Sequence, residues 1–218
     1  MKIAIFYHIA QMGMGAFIYQ QQLHRLYTSG LIDSADYIHF GVNGDQELFN
    51  VPDKVVVKQN QNWKEETETL LDLKNFSQKN LDYRILYFHT KGVSKGTPIA
   101  NAWRLMMEYF VIDKWKECVE MLNEYDCVGS NLNSVGETLW ADGTTTKPVE
   151  GTYNFTGNFW WANAIHIQTL DHKFLSSNYR IDRELWIGSN PNSKPGTIYQ
   201  PGIHDSYTHF YREEDYMK

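Results

Sequence analysis

Between Lys2 and Asn131, short apolar runs alternate with longer amphipathic segments, and this alternation leaves few folds open. KIAIFYHI (2–9) has the pattern of a buried strand and is closed by the glycine loop Gln11–Gly15. Residues 16–29 then place Ile18, Leu23, Leu26 and Tyr27 at near-helical spacing and stop at Gly30, a residue suited to a helix end. ADYIHFGVNG (35–44) and KVVVKQN (54–60) read as the second and third strands, and a polar helix is expected from about Trp63 to Gln78. YRILYF (83–88) is the fourth strand. Thr97 can cap the free amides of a helix that Pro98 pre-sets, and that helix is expected to reach about Glu124 before YDCVGSN (125–131) supplies a fifth strand.

Strands separated by helices indicate an open α/β sheet with many parallel neighbours. At 218 residues the chain suits one domain. Its second part changes character. Residues 132–152 are rich in Gly, Thr, Asn and Ser and read as a hairpin or excursion. NFTGNFWWANAI (154–165) reads as another strand or as a strand leading into a short helix over 165–173, and the tail beyond Gly188 reads as loop.

A net charge of -6 argues against a chain whose main task is to grip nucleic acid, because phosphate neutralisation needs a basic footprint. Cys118 and Cys127 fall in buried-looking segments and read as small core residues rather than a disulfide or metal pair. The opening run reads as a strand instead of a signal peptide, and no apolar run is long enough to span a bilayer, so a soluble, cytoplasmic protein is expected.

In open α/β sheets ligands settle outside the carboxyl ends of the strands. The loops expected there are Ile9–Gly15, Asn43–Asp45, His89–Gly96 and Ser130–Asn133. His89, Thr90, Lys91 and Gly92 form the most specific cluster, since an imidazole, a hydroxyl and an ammonium ahead of a capped helix can cradle phosphate oxygens. Read separately, His89 would be a hydrogen-bonded core histidine and Lys91 a solvated lysine. GNFWWANA (157–164) carries Asn158, Trp160 and Trp161; amides and indole faces suit sugars, but in a strand the two rings point to opposite faces, so at most one lines a cleft. Asp182 and Glu184, two apart, would share one side of an extended segment, where a carboxylate can act as general base. A solvated ion-pair face is the bland alternative. His204, beside Asp205 in the tail, is a further candidate metal or phosphate contact, although its spacing matches no standard site.

With these segments in hand, the chain resembles a group of small GT-A-type glycosyltransferases found in large algal viruses and bacterial polysaccharide clusters. The carrying stretches are YFHTKGVSK (87–95), WRLMMEYFVIDKW (103–115), YDCVGSN (125–131), FTGNFWWANA (155–164) and ELWIG (184–188), with a weaker match over 26–44. The resemblance implies a single-domain GT-A-like α/β fold that moves a sugar from a nucleotide-sugar donor, UDP-linked in the first instance, to a hydroxyl of a glycan acceptor. It also implies a division into a nucleotide-sugar part (1–131) and an acceptor part with a loop-rich tail (132–218). On that basis the nucleotide is expected against Tyr7, His8 and Asn43, the diphosphate near His89, Thr90 and Lys91, and the acceptor between Asn158, Trp160 or Trp161, and Glu184. Glu184 is the first choice of base and Asp182 the second. Such enzymes usually carry an Asp-x-Asp metal motif after the fourth strand; none occurs here, which leaves a role for Mn²⁺ or Mg²⁺ open. A non-catalytic carbohydrate-binding module and a sugar nucleotidyltransferase are the rival readings.

Overall fold

The computed structural model describes residues 1–61, 66–93, 96–134, 152–201 and 208–217. Strand β1 (Lys2–Ala10) is followed by helices α1 (Gly15–Thr28) and α2 (Leu31–Ser34), then β2 (Tyr37–Asn43), β3 (Val55–Gln59), α3 (Thr67–Lys79) and β4 (Tyr83–His89). Next come α4 (Pro98–Glu108), a π-helical turn (Tyr109–Asp113), α5 (Trp115–Met121), β5 (Cys127–Ser130) and β6 (Leu132–Ser134). The remainder supplies β7 (Tyr153–Phe155), β8 (Trp160–Asn163), α6 (Ala164–Gln168), α7 (Lys173–Ser176), α8 (Ile181–Leu185), β9 (Pro195–Tyr199) and α9 (Glu213–Tyr216).

Among the described residues, seven strands form one sheet in the order β3-β2-β1-β4-β8-β5-β9. β8 is antiparallel to both neighbours, and the other six strands point the same way. β6 and β7 pair separately as an antiparallel ribbon. This is the mainly parallel, helix-flanked α/β fold that the sequence led us to expect.

Side-chain alternation sends β1 to two cores. Ile3, Ile5, Tyr7 and Ile9 pack with α1, α4 and α5, whereas Ala4 and Phe6 pack with α3 and with Trp160, Ile167 and Trp186. Both sets are buried, as near-continuous apolar strands in a covered parallel sheet require.

Three expectations about elements need correction. The long helix does not run unbroken from Pro98 to Glu124: at Tyr109–Asp113 it widens into a π turn, in which Lys114 N–H reaches the Tyr109 carbonyl at 3.0 Å. There Val111 O accepts from the buried Trp161 Nε1 at 2.8 Å. Residues 165–173 are not one helix; α6 ends at Gln168 and α7 starts at Lys173, whose amide is capped by Asp171 Oδ1 at 2.9 Å. The tail beyond Gly188 is not all loop, because Pro195–Tyr199 joins the sheet parallel to β5 as an edge strand, the one place in a ladder that readily accepts proline.

Candidate functional site

β1 and β4 are neighbours, and successive strands are laid outward from them in opposite directions, so the crevice beyond their carboxyl ends is the switch point of the sheet. His8 and His89 stand there in register. Three loops are stitched together at this rim. Ala10 N–H donates to Thr90 Oγ1 at 2.9 Å, Gln11 N–H to the Asn43 carbonyl at 2.8 Å, and Met14 N–H to the Val93 carbonyl at 3.3 Å. The contact is so close that a Cβ on Gly13 would lie 2.2 Å from the Val93 carbonyl oxygen. The glycine loop is thus explained by backbone packing.

Charged and polar groups converge around His89 from four other elements. Glu66, just ahead of α3, is buried; its Oε2 accepts from Tyr87 OH at 3.1 Å and its Oε1 from Asn158 Nδ2 at 2.9 Å. His89 Nε2 lies 3.0 Å from the Gly157 carbonyl and 4.0 Å from Glu66 Oε2. A carbonyl only accepts, so the ring proton sits on Nε2. The Lys91 ammonium rests 3.9 Å from the centroid of a Trp103 ring in α4. Arg180 and Glu184, at the start of and within α8, complete the charge cluster, each acting electrostatically on both Glu66 and Lys91 or on one another.

Burial dominates the proton affinities here. Desolvation raises Glu184 above the ordinary carboxyl range and Glu66 pushes it further, against the pull of Lys91 and Arg180. Glu66 is raised by the same cause, opposed chiefly by Arg180 and by its bonds from Tyr87 and Asn158. Desolvation lowers Lys91, an effect that Glu184 resists and Arg180 reinforces. His89 falls to about 3, first through burial and then through the Lys91 charge, so its imidazole is neutral at physiological pH.

The cluster is held by hydrogen-bonded joints. Arg183 donates through Nε to Thr67 Oγ1 at 2.9 Å and through its terminal nitrogens to the Ser177 and Tyr179 carbonyls, pinning α8 to the start of α3. Asn158 adopts φ +61°, its amide oxygen accepting from Trp160 Nε1 at 2.8 Å while its nitrogen holds Glu66. Both ends of that amide are used inside the protein.

The structure therefore brings together His89, Lys91, Asn158 and Glu184. It places other expected site residues differently. Tyr7 is a core residue, stacked 4.3 Å from Phe88 with its hydroxyl donating to Gln22 Oε1 at 2.6 Å. His8 lies below the rim with Nδ1 3.0 Å from Thr69 Oγ1, and Asn43 Oδ1 accepts from Asn60 Nδ2 at 2.8 Å. Thr90 is buried as the tie to Ala10. The two indoles do point to opposite faces, yet Trp160 and Trp161 are both 0% exposed, so neither ring lines an open cleft. Asp182 and Glu184 do not share a side. They sit in a helix, where positions two apart face away from each other. His204 and Asp205 lie outside the described residues, as does Trp63. Glu66, Arg180 and Trp103 were not singled out from the sequence as site residues; the first two stand in polar stretches without a motif.

Among the described residues no three His, Cys, Asp or Glu side chains are grouped to hold a metal ion, and both Glu66 oxygens are already hydrogen-bonded. Two open hollows lie elsewhere: about 430 Å³ at the amino end of β4, beside Arg84 and Asp126, and about 640 Å³ between α4 and residues 210–216. Neither is lined by His89, Lys91 or Glu184, so volume and chemistry part company; the converging charges mark the candidate site.

The fold is thus a single α/β unit with its charge cluster at the sheet's switch point. In sequence, residues 18–174 match the family described as a domain of unknown function, DUF8361, and the chain belongs to that family. No curated protein matches it in sequence. Similar solved structures include the bifunctional IspDF from Campylobacter jejuni, with TM-score 0.46, 9% identity, and coverage of 100% of this chain and 54% of that one. Another is a 4-diphosphocytidyl-2C-methyl-D-erythritol synthase, with TM-score 0.49, 12% identity, and coverage of 99% and 96%. The chain spans about half the length of the first. Likeness of this degree carries nothing about the chemistry of the site. Among the described residues, no helix is long and apolar enough to cross a membrane.

Proposed function

We propose that this cluster is the centre of a glycosyltransferase that moves a sugar from a nucleotide-diphosphate donor to a hydroxyl of a glycan acceptor. The observation that carries the reading is the pairing of Lys91, a cation with no carboxylate in ion-pair contact among the described residues, with Glu184, a half-buried carboxylate of raised proton affinity. Both stand at the carboxyl rim of a parallel sheet.

In the reaction we envisage, the acceptor hydroxyl gives its proton to Glu184 as its oxygen bonds to the anomeric carbon. The bond from that carbon to the diphosphate oxygen breaks, and the electron pair leaves with the nucleoside diphosphate. Lys91 and Arg180 meet the charge that builds on the leaving group. His89, being neutral, contributes position rather than charge. Asn158 acts through Glu66, and the 1–131 and 132–218 parts face donor and acceptor respectively. Asp182, on the other side of α8, drops out as base.

Sugar nucleotidyl transfer is the second reading. Two cations in one field, Lys91 and Arg180, would also suit a triphosphate. A binding module that relies on Trp160 or Trp161 as a sugar platform is disfavoured, since both rings are interior.

The test supplies UDP-sugars with and without Mn²⁺ and, separately, nucleoside triphosphates with sugar 1-phosphates. Release of UDP from the former is expected, and release of pyrophosphate from the latter selects the second reading. Lys91→Ala and Glu184→Gln should each abolish UDP release while leaving the thermal melt within a few degrees. Wild-type UDP release by Lys91→Ala would remove the assignment.

A further inference from the structure

Trp103, on α4, is buried, at 2% exposure. Its position is tightly set. Thr97 caps α4 through the Ala100 amide at 3.2 Å with Pro98 in the first turn, and a Cβ on Gly157 would come within 3.2 Å of the ring. Over that ring, 3.9 Å from a centroid, lies the Lys91 ammonium. No carboxylate of the described residues forms an ion pair with it. Glu66 ahead of α3 and Glu184 on α8 act on it only at longer range, as do Arg180 and, at the end of β4, His89.

A desolvated ammonium has two ways to stay charged. A direct carboxylate partner would neutralise it and would have to be displaced by any incoming anion. An aromatic face stabilises the cation through its quadrupole and leaves the charge uncancelled.

Resting on the reading of Lys91 as the anion-binding group, we propose that Trp103 is a positioning residue. It keeps the Lys91 ammonium charged and unpaired ahead of substrate, so that a phosphate oxygen of the bound nucleotide becomes its first ion-pair partner. Arg104, the next residue, turns the other way into a buried bond with Glu108, so this role belongs to the indole alone on that stretch of α4.

The experiment measures UDP affinity by calorimetry from pH 7 to 10 in wild type, Trp103→Phe, Trp103→Leu and Lys91→Ala. Trp103→Phe should weaken binding a few-fold and Trp103→Leu about tenfold at neutral pH, the range of a desolvated cation–π contact. In both, the alkaline limb of binding should move to lower pH, because the charged form of Lys91 has lost its support. A purely structural indole would leave that limb where it is, so an unmoved limb in Trp103→Phe overturns the proposal even if Trp103→Leu does not fold. Equal losses on adding Trp103→Phe to wild type and to Lys91→Ala would overturn it as well. Failure of the underlying reading looks different: Lys91→Ala would then bind UDP as wild type does.

Discussion

Acidification from pH 7 to pH 5 should remove stability that His8 and His89 supply in their neutral, buried state. Both imidazoles are brought down to about 3, His8 by burial and then by His89, His89 by burial and then by Lys91. In the unfolded chain they return to 6.5. A group with a depressed folded value of this kind favours the folded state fully above 6.5 and loses that advantage as pH falls toward 3, because only the unfolded state takes up the proton. Between pH 7 and 5 the loss is about 2 kcal/mol for each ring, hence about 4 kcal/mol for the pair. His166, also lowered by burial, adds in the same direction. Glu66 and Glu184 work the other way, since their raised affinities make proton uptake favour the fold near pH 5. Comparison with variants cancels those carboxylates. His89→Gln keeps a donor near the Gly157 carbonyl, and His8→Asn keeps a polar atom near Thr69. Urea unfolding followed by tryptophan fluorescence at pH 7 and pH 5 should show each variant losing about 2 kcal/mol less than wild type over that interval. An identical loss in wild type and both variants would refute neutral, buried imidazoles at these two positions.

Two further outcomes test how the rim is held. Gly157→Ala should destabilise by about 1–3 kcal/mol, because residue 157 has φ +101° and the new methyl would meet Met107 Sδ at 2.4 Å; an unchanged melting temperature would show the turn to be less constrained than this. Glu108→Gln should cost about 3–5 kcal/mol by leaving the fully buried Arg104 guanidinium without the carboxylate that now receives it at 2.6 Å. A loss below about 1 kcal/mol in chemical denaturation would mean Gln21 and Asn101 alone satisfy that arginine.

The strands and the start of α4 within the first 131 residues were legible because each carries its own local signal. β1, β2 and β4 are apolar runs of seven to nine residues, and Thr97–Pro98 marks a helix start that the structure confirms by a side-chain cap. Legibility failed where the deciding contact is remote in sequence. The π turn hands a carbonyl to Trp161, fifty residues away. β9 is a strand only because β5 offers it an edge. Asp182 and Glu184 take helical positions beside an arginine anchored to Thr67, and no local pattern announces that anchor. At the site the same rule applies. His89 and Lys91 could be picked out because they close a strand, whereas Glu66 acquires meaning only once Asn158 and Tyr87 reach it.

That dependence has a mechanical consequence for the charge cluster. The members are fixed from three elements: His89 through Gly157 and Glu66 through Asn158 to the β7–β8 turn, Arg180 and Glu184 through Arg183 to α3, and Lys91 through its cation–π contact with Trp103 to α4. Gln22 closes the circuit from α1, donating both to the His89 carbonyl at 3.1 Å and to Glu108 at 2.7 Å. With hydrogen bonds and an aromatic face holding the charged groups, the charges are not free to relax apart. A preorganised field of this sort is what stabilisation of a departing diphosphate requires, because groups already in place need no reorganisation as the bond breaks. The rim is therefore expected to tolerate loss of a joint less well in activity than in stability: Asn158→Ala, which frees Glu66 to turn toward Lys91, should cut UDP release by more than it lowers the melt. Equal effects on both, measured side by side, would mean that the joint serves folding alone.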